Sequence, residues 1–345
     1  MKPVIVSLED LMMRNVDYNI IEKAFGKNSL GLIVIKDIPD LSKLRNNLIK
    51  SGRKVVSLKN IEDYSHKQSN YAVGWSCGKE KMKNNVPDFA KGSYYANPIH
   101  DNPSNNQELI DKYPGSYTPN IWPKEVPEFE ENFKELGQTM YIIGLLVLMY
   151  CDLYLEREFD MKINLEDLMK KSETCKGRFL HYFPLKKDKN KEDDASCGWH
   201  CDSGGLTGLI SAKYFDKEGN EIKPKDGGLH IKDRNNNFVK VDIPEDCIAF
   251  QIGEILQILS GNKLIATPHC VKSTSMENVS RNTLAVFMDT DPLFKVKVPE
   301  GMESEIDEII TIKNLPEGVP KLKDRFHNGM PYAEFLDKTY KSYYS

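Results

Sequence analysis

Gly198-Trp199-His200-Cys201-Asp202-Ser203-Gly204-Gly205, read with Ala266-Thr267-Pro268-His269-Cys270-Val271 further along, decides what kind of fold this chain needs. Side chains of an extended segment alternate between two faces, so His200 and Asp202 point one way and Cys201 the other. Two imidazoles and a carboxylate are the ligand set of a non-haem iron(II) centre, which leaves three positions of an octahedral ion open. On this reading one short strand supplies His200 and Asp202. His269 then has to arrive on a strand remote in sequence but adjacent in space, after Ile255-Leu256-Gln257-Ile258-Leu259-Ser260-Gly261-Asn262, which reads as a strand and turn. A β-barrel-like scaffold meets that demand.

Twelve residues beyond His269, Arg281-Asn282-Thr283 opens an apolar strand, Leu284-Ala285-Val286-Phe287-Met288. Alternation again puts the Arg281 guanidinium and the Thr283 hydroxyl on one face. A planar fork of donors beside a hydroxyl is a receptor for a carboxylate. The ordered set His200-x-Asp202, His269 and Arg281-x-Thr283, with Gly253-Glu254-Ile255-Leu256-Gln257 and Ser260-Gly261-Asn262 between, resembles the 2-oxoglutarate and iron(II) dependent dioxygenases. The likeness is to the group that includes isopenicillin N synthase and the plant flavonoid and gibberellin oxygenases. It extends to Ser29–Pro39, similar to that family's first strand, and to Lys91–Pro98, similar to its N-terminal substrate-side segment.

The resemblance implies a mainly β fold with flanking helices and a double-stranded β-helix, or jelly-roll, core. It implies iron(II) on His200, Asp202 and His269, with 2-oxoglutarate and dioxygen as co-substrates and ascorbate as an optional reductant. Arg281 and Thr283 would hold the far carboxylate of 2-oxoglutarate. Oxidative decarboxylation would release succinate and carbon dioxide and take hydrogen from a carbon of a small organic substrate, with hydroxylation as the default outcome and desaturation or ring closure as variants. Plant relatives commonly carry Asn-Tyr-Tyr-Pro where this chain has His181-Tyr182-Phe183-Pro184. Both polar contacts of that motif are therefore changed, and His181 is the candidate to replace the asparagine beside the co-substrate. Tyr94, Tyr95, Tyr182, Trp199 and Phe287 are candidates to face the substrate, and each is at least as suited to a core position.

Local patterns fit this scheme. Gly228-Leu229-His230-Ile231 and Asn237–Ile243 read as strands between turn signals at Asp226-Gly227 and Asn235-Asn236. Phe129, Phe133, Leu136, Met140, Ile143, Val147, Tyr150 and Leu153 recur at helical steps and mark a long amphipathic helix packed outside the barrel. The expected organisation is one compact unit, with residues 1–170 as a mixed, largely helical region on a catalytic jelly roll in residues 171–345, which includes a C-terminal helix.

With 47 Lys and Arg against 51 Asp and Glu, the chain has no basic field for nucleic acid or membrane surfaces. The apolar run Met140–Cys151 is too short to span a bilayer, and the N-terminus is not a secretory signal. The partner expected is a small molecule and the state a monomer. Seven cysteines without dense spacing argue for a reducing compartment, the cytoplasm by default. Cys201 and Cys270 neighbour the ligands, but alternation turns them away from a zinc-thiolate role. His66, His100, His230 and His327 lack partners at ligand spacing. The charged stretches 186–194 and 216–227 read as solvated loops, the second able to edge the mouth of the site. Three other functions share parts of the pattern: an iron(II) oxidase that does not use 2-oxoglutarate, which the intact Arg281-x-Thr283 disfavours; a zinc hydrolase, which lacks the helical His-Glu-x-x-His; and a non-catalytic binding module.

Overall fold

The computed structural model describes residues 2–79, 87–184, 195–312 and 315–344, with the side chains of residues 195, 196 and 344 left aside. The charged stretch 186–194 lies outside the described residues. Fourteen strands within them position the site: β1 (Val4–Ser7), β2 (Leu32–Lys36), β3 (Gly74–Cys77), β4 (Lys91–Ala96), β5 (Lys176–Tyr182), β6 (Ala195–His200), β7 (Leu206–Ile210), β8 (Lys213–Phe215), β9 (Glu221–Ile222), β10 (Gly228–Lys232), β11 (Phe238–Lys240), β12 (Ile248–Ile252), β13 (His269–Lys272) and β14 (Ser280–Met288).

Among the described residues, the large sheet runs β1-β2-β12-β7-β14-β5-β4-β3, with the hairpin β8–β9 joined to the start of β14. The smaller sheet runs β11-β10-β13-β6. From β5 onward the chain passes back and forth between them, so β5, β7, β12 and β14 face β6, β10, β11 and β13. That is the double-stranded β-helix, mainly β with flanking helices as expected. Strands β1 to β4, from the N-terminal half, extend the large sheet on both sides. Five successive buried residues in β12, Ile248-Ala249-Phe250-Gln251-Ile252, follow from its place between β2 and β7 with both faces covered.

The outer face of the large sheet is covered by the helices Leu41–Val56 and Glu128–Phe159. Phe179 of β5 and Tyr94 of β4, paired across the strands, pack edge-on against Phe129 of the longer helix. At Gly52 a Cβ would sit 2.3 Å from the Phe179 ring, so the shorter helix lies close on β5 only because that position is glycine. The helix Glu128–Phe159 is 32 residues, much longer than the run Met140–Cys151. By length and composition it could cross a membrane, yet more than half of its most apolar window is buried within the protein. The stripe Phe129, Phe133, Leu136, Met140, Ile143, Val147 and Tyr150 is the buried one; Leu153 is only partly buried.

One local expectation is overturned. Residues Glu254–Leu259 form a helix, where the sequence reads as a strand. All six are buried, so the apolar run carries no period to separate helix from strand. The turn after it is real: Gly261 (φ 57°) and Asn262 (φ 65°) are both left-handed. Gln257 ties the helix down on two sides, its Nε2 donating to the Ile309 carbonyl (2.8 Å) and its Oε1 accepting from Ala266 N–H (3.0 Å).

The first residue of that helix, Glu254, is buried against Arg325, each about 1% exposed. The guanidinium donates to both carboxylate oxygens, at 2.5 and 2.9 Å, and to the Thr339 hydroxyl at 2.7 Å. Thr339 belongs to the C-terminal helix Tyr332–Tyr344, so this ion pair fastens the end of the chain to the barrel. Removing one member of a buried pair strands the other charge and costs about 3–5 kcal/mol, whereas replacing both by apolar groups can be neutral. Arg325→Met should accordingly lose about that much in urea unfolding, and Glu254→Leu combined with Arg325→Met should recover most of it. A double variant no more stable than the single one would refute this account.

Candidate metal centre and the cleft around it

His200 ends β6 and His269 begins β13, and the two are register partners in the small sheet. Their rings lie 4.3 Å apart between centroids. The ladder between β6 and β13 is irregular on the side leading away from the pair. Asp202 lies two residues past the end of β6 rather than within it, which corrects the expectation that one strand carries both ligands. What holds Asp202 is the helix Glu254–Leu259. The N–H groups of Gly253, Glu254 and Ile255 donate to the carbonyls of Gly205 (2.7 Å), Asp202 (2.8 Å) and Gly204 (3.2 Å). N–H groups at a helix start have no partner inside the helix, and here the ligand loop provides them. That close approach requires glycine: a Cβ on Gly253 would lie 2.1 Å from the Gly204 carbonyl oxygen, and one on Gly204 would collide with the Asp289 carboxylate.

His200 Nε2 and His269 Nε2 each lie 3.7 Å from Asp202 Oδ1, and the three ligand atoms fall within 4.8 Å of one another. Each imidazole has its other nitrogen on a backbone carbonyl, His200 Nδ1 on Gly198 O (2.8 Å) and His269 Nδ1 on Thr267 O (3.1 Å). A proton on Nδ1 leaves the Nε2 lone pair free toward Asp202, the orientation that fixes a histidine as a metal ligand. Burial, then the neighbouring His200, holds His269 down to about 4, so it stays neutral. Burial also works against charge on His200, but the Cys197 sulfur beside Nδ1 and then the Asp202 carboxylate outweigh it and raise it to about 9. Asp202 Oδ2 is buried with no hydrogen-bond partner. Asp202 Oδ1 facing two aligned nitrogens, on a carboxylate whose other oxygen has no partner, fits a divalent cation, and this N,N,O set fits iron(II).

Arg281 and Thr283 stand on β14 in the opposite sheet, and register assigns their neighbours. Arg281 pairs with Tyr182 on β5 and with Tyr214 on β8, and Thr283 pairs with Leu180. The guanidinium lies 4.9 Å over the Tyr182 ring, and its Nε and Nη1 are buried without partners. Thr283 behaves differently from expectation, since its hydroxyl donates its proton to the Ile210 carbonyl at 3.1 Å. A carboxylate needs donors, so the Arg281 nitrogens are the free half of the clamp. Below them Leu180, Tyr182 and Ala285 pack with Leu209, Val271 and Phe287 into an apolar lining that bridges the two sheets.

The assignment of His181 to the co-substrate is contradicted. His181 pairs with Asn282, one residue out of step with Arg281, so it lies on the outer face of the sheet. Its Nδ1 donates to Asn282 Oδ1 (2.7 Å), and its ring packs edge-on to Phe183 at 4.7 Å. The residue of this motif that faces the cleft is Tyr182, between the two changed positions. Among the aromatic candidates, Tyr95, Tyr182 and Phe287 share the inner face. Tyr94 is outer-face core, and Trp199 leans on exposed Phe238 outside the small sheet. Cys201 and Cys270 are buried and outside the metal cluster.

Two residues near the site carry no signal in the sequence reading. Cys197, with its sulfur 3.9 Å from His200 Nδ1, is brought there by the bulged ladder. Tyr214 is brought opposite Arg281 by the hairpin β8–β9, whose turn and second strand fall in the stretch 216–227 expected to be a loop. Only the turn Asp216–Asn220 supplies a hint.

Residues 175–290 match the family model of the 2OG-Fe(II) oxygenase superfamily. Over 133 residues the chain is 30% identical to a UPF0676 protein of Schizosaccharomyces pombe, covering 37% of this chain and 39% of that protein; the match thus spans about two fifths of the relative's length. A 2OG-Fe(II) oxygenase family protein of Caulobacter crescentus superposes with a TM-score of 0.69 at 20% identity, covering 98% of each chain. A full-length protein of Neurospora crassa, in complex with alpha-KG, superposes with a TM-score of 0.70 at 17% identity, covering 98% of this chain and 95% of that one. Another structure of the same Neurospora crassa protein is in complex with alpha-KG and thymine. At these identities the structural likenesses establish the fold.

Burial lowers the pKa of His181 below its ordinary value. Such a histidine binds a proton more readily unfolded than folded, so it makes stability fall as pH drops through and below about 6.5. His181→Asn should abolish that part of the acid sensitivity in thermal melts. Its 2-oxoglutarate affinity from pH 5.5 to 8 should follow the wild-type curve. Divergent affinity curves would return His181 to the co-substrate site.

Proposed function

We propose that the protein, whose residues 175–290 match the 2OG-Fe(II) oxygenase superfamily model, oxidises a small organic substrate, by hydroxylation in the default case, while converting 2-oxoglutarate and dioxygen to succinate and carbon dioxide. His200, Asp202 and His269 would hold iron(II), and Arg281 the far carboxylate of 2-oxoglutarate. Iron(II) so held would supply the activation of dioxygen that couples decarboxylation of the co-substrate to removal of hydrogen from the substrate.

The observation that carries the reading is the guanidinium of Arg281. Two of its nitrogens are buried and unpartnered on the sheet opposite the triad, and a buried donor without an acceptor is costly. A carboxylate there would restore the missing hydrogen bonds as charge-assisted ones. Tyr182, with its ring against the guanidinium, and the apolar lining of Leu180, Ala285, Val271 and Phe287 would keep water from that carboxylate and strengthen its attraction to Arg281. His269, held neutral, keeps its Nε2 lone pair available at neutral pH, and Asp202 contributes the negative charge of the ligand set. A small substrate agrees with the Neurospora crassa structure that carries thymine in this fold. The cysteines, none in a disulfide among the described residues and five of them buried, support a reducing compartment such as the cytoplasm.

The metal and the co-substrate are separable. Asp202→Ala should abolish anaerobic binding of iron(II), because it removes the carboxylate and leaves only the two imidazoles. Arg281→Gln should bind iron(II) as wild type does but lose about 2–5 kcal/mol of 2-oxoglutarate affinity, read from the weak visible charge-transfer band of the chelate. Unchanged 2-oxoglutarate affinity in Arg281→Gln would favour an oxidase that dispenses with the co-substrate.

A further inference from the structure

The C-terminal helix Tyr332–Tyr344 meets the ligand loop at its two ends and is linked to it through Arg325 and Glu254 in its middle. Near its end, the Tyr343 hydroxyl oxygen accepts the backbone N–H of Cys201 at 3.3 Å, and Cys201 stands between His200 and Asp202. In the middle, Thr339 accepts a hydrogen bond from Arg325, whose guanidinium grips Glu254, and Glu254 N–H in turn holds the Asp202 carbonyl. At its start, Tyr332 is buried beside Gly204, where an added Cβ would lie 3.4 Å from the Tyr332 hydroxyl oxygen. The backbone from residue 201 to 204 is thus held from one side by the helix Glu254–Leu259 and from the other by the end of the chain.

We propose that the C-terminal helix is the splint of the metal-ligand loop, with Tyr343 as a positioning residue, so that helix docking and metal binding are thermodynamically linked. The inference rests on the triad as a metal site. Neither Tyr343 nor the helix touches the metal in this scheme. Tyr343 acts through the Cys201 N–H, which has to be satisfied in one orientation if His200 and Asp202 are to converge. Without that acceptor the peptide is free to turn toward water, and the two ligands on either side of it lose their fixed separation. Linkage is reciprocal: whatever the docked helix adds to metal affinity, the bound metal adds to helix docking.

The test is a cobalt(II) titration of chelator-stripped protein, followed by visible absorption, in wild type, Tyr343→Phe and Asp202→Ala. Phenylalanine keeps the ring and removes only the oxygen, so the metal-free Tyr343→Phe protein should melt within a few degrees of wild type. Its cobalt(II) affinity should fall about three- to ten-fold, the worth of one hydrogen bond. In wild type, saturation with cobalt(II) should slow amide exchange in residues 332–344 by a comparable factor, a measurement that stands even where a variant fails to fold. Wild-type affinity in Tyr343→Phe, or exchange in the helix indifferent to cobalt(II), overturns the proposal while a loss of binding in Asp202→Ala leaves the metal site intact. If Asp202→Ala binds as tightly as wild type, the triad reading falls and the splint with it.

Discussion

N–H groups at the start of a helix need acceptors from outside it, and at the helix Glu254–Leu259 those acceptors are the carbonyls of Asp202 and Gly204, with Gly253 N–H on Gly205 just ahead. This exchange of hydrogen bonds is the constraint from which the site follows. It fixes a loop that has already left strand β6, and so places a carboxylate where strand pairing no longer could. It also explains the composition of both partners. The loop carries Gly204 and Gly205, and the helix opens after Gly253, because a Cβ on Gly204, Gly205 or Gly253 would drive into neighbouring atoms.

The two histidines come by a different route. They are neighbours across the ladder of the small sheet, with the carbonyl two residues before each, Gly198 and Thr267, turning the imidazole so that Nε2 faces inward. Sheet pairing thus sets the separation of two ligands, and helix-end hydrogen bonding sets the third. The opposite sheet supplies the complementary charge. Arg281 stands on β14 with tyrosines on either side, its Nε and Nη1 out of water and unsatisfied. An orphaned carboxylate oxygen on the loop after β6 and two orphaned Arg281 nitrogens on the opposite sheet are costs to the fold that a bound cation and a bound anion would each remove.

Alternation along a strand was a reliable guide where strands are regular. It placed Arg281 and Thr283 on one face of β14 and turned Cys270 away from His269 on β13. The His181 assignment came from similarity of motif instead, whereas pairing of β5 with β14 sets the face. The two disagree by one residue, and in a strand one residue is the difference between inside and outside. The all-apolar helix Glu254–Leu259 was misread for a related reason. A segment buried on every side has no hydrophobic period, so its sequence is compatible with either conformation.

The sequence by itself determined which residues are candidates for the ligand set, their order along the chain and the arginine proposed for the carboxylate, because these depend on residue chemistry and on a period of two; the two-sheet architecture was what the family resemblance implied. Tertiary structure alone decided that Asp202 is held by a helix start, that Tyr182 faces the cleft and His181 does not, that Thr283 spends its proton on Ile210, and that Cys197, Tyr214 and Tyr343 reach the site at all. Each of these turns on which backbone lies beside which. Hydrogen bonds between segments tens of residues apart leave no local pattern to read, since every donor and acceptor involved belongs to the backbone common to all residues or to a side chain whose partner is chosen only when the sheets close.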